Sequence, residues 1–173
     1  MNTHVAFLRG INVGGNTLLP MKELAALCTD LGLQEVSTYI NSGNVLFKSE
    51  LPEEEIKIEL ENVLEKKMGK PIAVVVRSIK NIEKVVSANP FKDAQPSKVG
   101  VLLLSGDVAK KAQEEFINVQ TEEIIIGKHE IYIHFPDGMG VSKLKWPASL
   151  KHGTVRNINT LTKLVSLAGK KVL

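Results

Sequence analysis

The densest candidate for chemistry is the run Arg9-Gly10-Ile11-Asn12-Val13-Gly14-Gly15-Asn16-Thr17. Its three glycines open backbone conformations closed to other residues and let amide N–H groups approach a ligand closely. Such a cradle suits phosphate or carboxylate oxygens, with Arg9 at its base to supply charge. The spacing comes near a phosphate-binding P-loop. Gly10 and Gly15 stand at the required separation and Thr17 is in place, but position 16 is Asn where that motif needs Lys. A nucleoside triphosphatase of that class is therefore disfavoured. The choice lies between a glycine-rich turn and a loop that contacts a ligand.

Three further segments carry polar side chains at turns. Asn41-Ser42-Gly43-Asn44 separates two β-rich runs and reads as a hairpin tip. Pro136-Asp137-Gly138-Met139-Gly140-Val141-Ser142-Lys143 reads as a glycine-rich turn running into a helix. There Ser142 is either an N-cap or, with Lys143, part of an anion site. Thr154-Val155-Arg156-Asn157-Ile158-Asn159-Thr160 offers an arginine fork and an amide, or simply caps a last helix. Nucleophile and metal arrangements are absent from the pattern. His4, His129, His134 and His152 are scattered and share no metal-ligand spacing with Cys28, so neither metal nor cofactor is expected. Cys28 falls on an apolar helix stripe and reads as core. Glu53-Glu54-Glu55 suits the positive end of a helix.

The elements that must position these loops follow from hydrophobic periodicity. Residues 4–9 read as a strand, and Leu24, Leu27, Cys28 and Leu31 repeat at helical spacing after Pro20. Val36–Asn41 and Val45–Lys48 read as a hairpin. A helix from Pro52 buries Ile56, Leu60, Val63 and Leu64, and Ile72–Arg77 is an apolar strand. The order β-α-β-β-α-β predicts a ferredoxin-like antiparallel sheet with both helices on one face. In that topology the first strand ends beside the hairpin tip. Loop 9–16 and turn 41–44 should then be neighbours, bringing Arg9, Gly10, Asn12, Gly14 and Gly15 to Asn41, Ser42, Gly43 and Asn44.

The second half repeats the pattern more loosely. A short helix over 79–88 leads to a strand at Lys98–Leu104, a helix at Val108–Val119, a hairpin at 123–135, a helical stretch at Ser142–Leu150 and a final helix capped by Asn159 or Thr160. The expected fold class is therefore α+β, with two ferredoxin-like subdomains and an extra C-terminal helix. The boundaries read as 1–78, a helical connector at 79–97, and 98–173.

Bulk properties narrow the class. The 173 residues carry a formal charge of +3 with 43% hydrophobic content, an ordinary globular profile. No apolar run is long enough to span a bilayer, and one cysteine fits a reducing cytoplasm. The charge is uneven. Beyond residue 136, Lys143, Lys145, Lys151, Arg156, Lys163, Lys170 and Lys171 face a single acid, Asp137. That basic stretch is a candidate for phosphate contact with nucleic acid. Base stacking is disfavoured, because aromatics make up only 5% of the chain and the third strand lacks the aromatic pair of RNA-recognition sheets.

Leu8-Arg9-Gly10-Ile11-Asn12-Val13-Gly14-Gly15, Tyr39-Ile40-Asn41-Ser42-Gly43-Asn44-Val45, Val76-Arg77, Asn89-Pro90-Phe91, Pro136 to Leu144 and Arg156-Asn157-Ile158-Asn159-Thr160 resemble a bacterial family, domain of unknown function 1697. The resemblance covers nearly the whole chain and implies two ferredoxin-like subdomains. It implies no established activity, so it transfers no catalytic residue. The chain has Ile158 where the family shows Trp, and Asn16 where it often shows Lys. Roles resting on those groups do not carry over.

The leading expectation is a cytoplasmic module that binds a small anionic or nucleotide-like ligand at the corner of 9–16 and 41–44, with Ser142, Lys143, Arg156 and Asn157 as a second contact. One alternative is a transferase or hydrolase acting on a phosphorylated substrate through Arg9, Lys143 and Arg156. The others are nucleic-acid phosphate binding by the basic C-terminal stretch, and an interaction protein with a bare sheet face.

Overall fold

The computed structural model describes residues 1–13, 15 and 17–171, and side chains as far as Gly169. Gly14 and Asn16 of the first loop lie outside the described residues, as do the side chains of Lys170 and Lys171. The chain divides into two compact units: Met1–Ile82 with the chain from Leu164 onward, and Glu83–Lys163. Each holds a four-stranded antiparallel sheet, as the periodicity predicts.

In the first unit β1 (Asn2–Leu8) pairs with β3 (Asn44–Ser49) on one side and β4 (Val74–Ser78) on the other. β2 (Gln34–Tyr39) lies beyond β3, giving the order β2-β3-β1-β4. α1 (Met21–Asp30) and α2 (Glu53–Met68) cover one face. Ala6, Leu8, Val45, Phe47, Val74 and Val76 meet Leu24, Cys28, Ile56, Leu60 and Leu64 there in one apolar cluster. The alternate residues Val5, Phe7, Leu46 and Val75 are equally shut from water, so the bare apolar sheet face expected of an interaction module is not exposed.

α2 shows how sequence chemistry sets an element. Glu53, Glu54 and Glu55 occupy its first turn and Lys66 and Lys67 its last, each at the helix end of opposite partial charge. Gly69 ends it in the left-handed conformation, its N–H donating to the Glu65 carbonyl at 2.9 Å. Two carboxylates of the same helix also serve the sheet. Glu61 Oε2 accepts the Val74 N–H at 3.1 Å, and Glu53 Oε1 accepts the Ser78 N–H at 2.9 Å. Val74 and Ser78 are the two ends of edge strand β4, whose outer backbone groups would otherwise be open to pairing.

The second unit keeps the strand order and loses most of the helix. β5 (Val99–Leu103) pairs with β7 (Glu130–His134) and β8 (Thr154–Asn157), and β6 (Glu123–Ile126) flanks β7, giving β6-β7-β5-β8. α3 (Ile79–Ser87) precedes this sheet and α4 (Ile158–Lys171) follows it. Three expectations are corrected here. The helix expected over 108–119 is a short 3₁₀ turn, Ala112–Glu115. Ala112 and Phe116 are buried, but Ile117 exchanges two backbone hydrogen bonds with Lys145 and Asn118 sits at φ 63°. The same bridge draws Lys145 out of any helix, so 142–150 is irregular between the turns Met139–Val141 and Ala148–Leu150. The last helix starts at Ile158 behind the unforeseen strand β8, and Asn157 caps it through Oδ1, which accepts the Thr160 N–H at 2.8 Å.

Cys28 and His4 lie deep in the first unit. Burial raises the pKa of Cys28 to about 12, leaving it an unreactive thiol within the core. His4 is 4% exposed and stacks on Phe47 at 5.7 Å. Neither ring nitrogen makes a well-aligned hydrogen bond. Burial lowers the His4 pKa, and the Glu53 carboxylate and the Ser49 backbone only partly offset it. The fold therefore favours the neutral ring, while the unfolded chain protonates near the ordinary value of 6.5. His4 costs no stability above that pH and destabilises the fold increasingly below it. Urea unfolding at about pH 7.5 and about pH 5.5 should show a larger acid loss for the native chain than for His4→Phe. Equal losses would remove His4 as the cause.

Candidate functional site

The corner forms where the sheet topology places it. Leu8, the last residue of β1, donates its N–H to the Gly43 carbonyl at 3.0 Å, and Arg9 donates to the Ala73 carbonyl at 3.0 Å. The loop after β1 thus leaves the sheet between the hairpin tip and the start of β4. Gly43 must be glycine. It has φ 85°, and a Cβ there would stand 2.8 Å from Ile11 Cδ1 and 3.0 Å from Leu8 Cβ.

Asn12 holds the two loops together. Its Nδ2 donates to the Asn41 carbonyl at 2.7 Å and to the Leu19 carbonyl at 2.9 Å, while its Oδ1 accepts the Leu19 N–H at 2.8 Å. Its own N–H donates to the Thr17 carbonyl at 3.0 Å. Both amide hydrogens are committed within the protein, so Asn12 serves the shape of the corner and has no side-chain hydrogen left for a ligand. Asn44 does the same for the hairpin. Fully buried, it donates from Nδ2 to the Tyr39 carbonyl and to Ser42 Oγ, each at 3.0 Å. Arg9 is half-buried, and Gly10 and Asn41 are exposed.

The backbone of this corner is unusually strained. Asn12 (φ 55°), Thr17 (φ 52°) and Ile40 (φ 53°) all adopt the left-handed conformation, beside Gly10, Gly15 and Gly43. For the β-branched Ile40 and Thr17 this conformation is costly, and strain of this kind gathers at binding sites. Three large apolar side chains in these loops stay exposed: Val13 at 62%, Leu18 at 68% and Ile40 at 50%. Each is a chain neighbour of a residue in the Asn12 hydrogen-bond cluster. In the sequence only the glycines and polar residues of these loops are weighed, so the exposed Val13, Leu18 and Ile40 are not picked out there.

The other candidate segments belong to the second unit. Ser142 does not begin a helix. It closes the turn Met139–Val141 and donates from Oγ to Glu122 Oε1 at 2.6 Å, which is the main reason the Glu122 carboxyl titrates below its ordinary value. Thr121 Oγ1 donates to Asp137 Oδ2 at 2.8 Å, so the loop is stapled to 121–122 by two carboxylates. Negative charge already occupies this segment, and Lys143 points its charge into solvent as an exposed side chain. Arg156, on β8, is 8% exposed. It donates from Nη1 to Thr154 Oγ1 at 2.7 Å and to the Val155 carbonyl at 2.9 Å, and burial lowers its pKa to about 10. Asn157 is the α4 cap. Among the described residues no three His, Cys, Asp or Glu side chains gather into a metal-holding group, and no helix is long and apolar enough to cross a membrane.

The family model described as a protein of unknown function (DUF1697) matches residues 1–132. The solved structure of conserved bacterial protein SP0830 from Streptococcus pneumoniae is similar to this chain, with 25% sequence identity and a TM-score of 0.75. The match covers 95% of this chain and 97% of that one. No curated protein matches.

Two substitutions separate the jobs of this corner. Asn12→Ala leaves one N–H and two carbonyls without their partner and should cost about 2 kcal/mol in denaturant unfolding. Ile40→Asn relieves a β-branched residue from the left-handed region and should stabilise the fold by about 1 kcal/mol. An Ile40→Asn protein no more stable than the native one would show that the strain at this turn is illusory.

Proposed function

The chain belongs to the DUF1697 family, and from that footing we propose that it is a binding module that takes a small anionic or nucleotide-like ligand at the Asn12 corner. The observation that carries this reading is the Asn12 clasp, which joins two glycine-bearing loops beside Arg9. A corner held this rigidly is preorganised, so little affinity is lost in ordering it. Arg9 supplies the positive charge. The exposed Val13, Leu18 and Ile40 supply an apolar rim for the uncharged part of a nucleotide-like molecule. The protein would work in the cytoplasm, where its one cysteine stays a thiol.

The enzyme alternative, with Arg9, Lys143 and Arg156 clamping a phosphorylated substrate, has less support. Arg156 is buried and its guanidinium is engaged by the Thr154 hydroxyl and the Val155 carbonyl. Nucleic-acid phosphate contact rests on the exposed Lys143, Lys145 and Lys151.

A thermal-shift screen of nucleotides and phosphorylated metabolites tests the first reading. A ligand at about a hundredfold over its Kd adds ~2.7 kcal/mol, roughly 5–10 °C for a chain of this size. The shift should vanish in Arg9→Ala and Asn41→Ala. A screen with no hit, or a hit that survives both changes, would rule the corner out. Salt-sensitive gel retardation without a thermal shift would instead favour the lysines.

A further inference from the structure

A cavity lies in the other unit and shares no residue with the Asn12 corner. It has a volume of about 340 Å³ and is lined by Pro90, Phe91, Asp93, Ala94 and His134. That size holds one or two fused rings. Its walls are rigid. Asn89, itself buried, accepts the Phe91 N–H on Oδ1 at 3.0 Å, and the Ala94 N–H closes a turn onto the Phe91 carbonyl at 3.1 Å. His134 ends β7, held in register opposite Val99 and Glu123. The Phe91 and His134 rings lie 5.5 Å apart at 33°. Asn89-Pro90-Phe91, which carries part of the family resemblance, is therefore the segment that builds this wall.

We propose that this cleft binds a planar aromatic cation, a small molecule of the arylamine or amidine type. The two rings and the Pro90 face offer an aromatic surface against which a flat ring packs, and Phe91 adds attraction for positive charge. Asp93 is the one carboxylate among the lining residues, and it sets the sign of the ligand's charged end. Lys92, between Phe91 and Asp93 in the chain, is exposed and is not among the lining residues, and Lys98 has its ammonium bound to the Pro136 carbonyl at 2.9 Å. An anion would meet the Asp93 carboxylate with no lysine or arginine among the lining residues.

Benzamidine and its neutral isostere benzamide test the charge and the shape separately. In two-dimensional NMR titrations of the whole chain, benzamidine should shift the Phe91 and His134 resonances saturably and bind about threefold tighter than benzamide, the range expected of an exposed carboxylate partner. Asp93→Asn, at an exposed position, should fold normally and bring the two probes to equal affinity. Three results would overturn the proposal: no shift at Phe91 and His134, equal affinities in the native chain, or a preference for benzamidine that survives Asp93→Asn.

Discussion

One carboxamide sets the end of the first sheet. Asn12 reaches from the loop after β1 to the Asn41 carbonyl of the β2–β3 hairpin and to both backbone groups of Leu19. Those contacts tie the exit of β1, the hairpin tip and the approach to α1 into one unit. Each of these segments would otherwise be a short loop with unpaired polar backbone. The clasp lets Ile11 and Leu19 turn inward and join the core, both essentially without exposure. It also lets the chain pass through several left-handed residues without fraying. The strain at Ile40 and Thr17 persists because the surrounding hydrogen bonds over-determine the path.

The same economy appears at the far edge of that sheet. β4 is an edge strand, and its terminal N–H groups are taken by Glu61 and Glu53 of α2 rather than left to another chain. A helix placed for its apolar stripe thus protects an edge with its polar flank. The second sheet reaches the same strand order with a different cover. Where the first unit sets α1 between its first two strands, the second has a 3₁₀ turn pinned by the Ile117–Lys145 bridge. Strand order is thus the property the two sheets share, and helix content is free to vary around it.

The legible and illegible parts of the sequence divide along physical lines. Strong periodicity with matched end chemistry was readable, and α2 is the clearest case: acids at its start, lysines at its end and Gly69 beyond. The neighbouring loops at 9–16 and 41–44 were readable too, because βαββαβ topology leaves them no other place. The segment 108–119 was not, because its period-four apolar stripe is satisfied equally by an irregular chain that buries Ala112 and Phe116. What decides the matter is a pairing with Lys145, remote in sequence and invisible to local propensity. β8 escaped notice for a related reason: Thr154–Asn157 has four residues, too few for alternation to stand out.

The polar residues that looked most ligand-like illustrate a general ambiguity. Asn, Ser and Gly gather at binding loops for their hydrogen bonds and backbone freedom, and gather at turns for the same reasons. In this chain the structure assigns Asn12, Asn44, Ser142 and Asn157 to clasp, hairpin, staple and cap respectively. On the proposed reading the contacting side chains are Arg9, Asn41 and the exposed apolar residues of these loops, a smaller and more amphipathic set than the sequence suggests. A ligand matched to it needs an apolar part as well as charge. Within the proposed reading this favours a nucleotide-like molecule over a bare inorganic anion, because the former gives the exposed Val13, Leu18 and Ile40 something to cover.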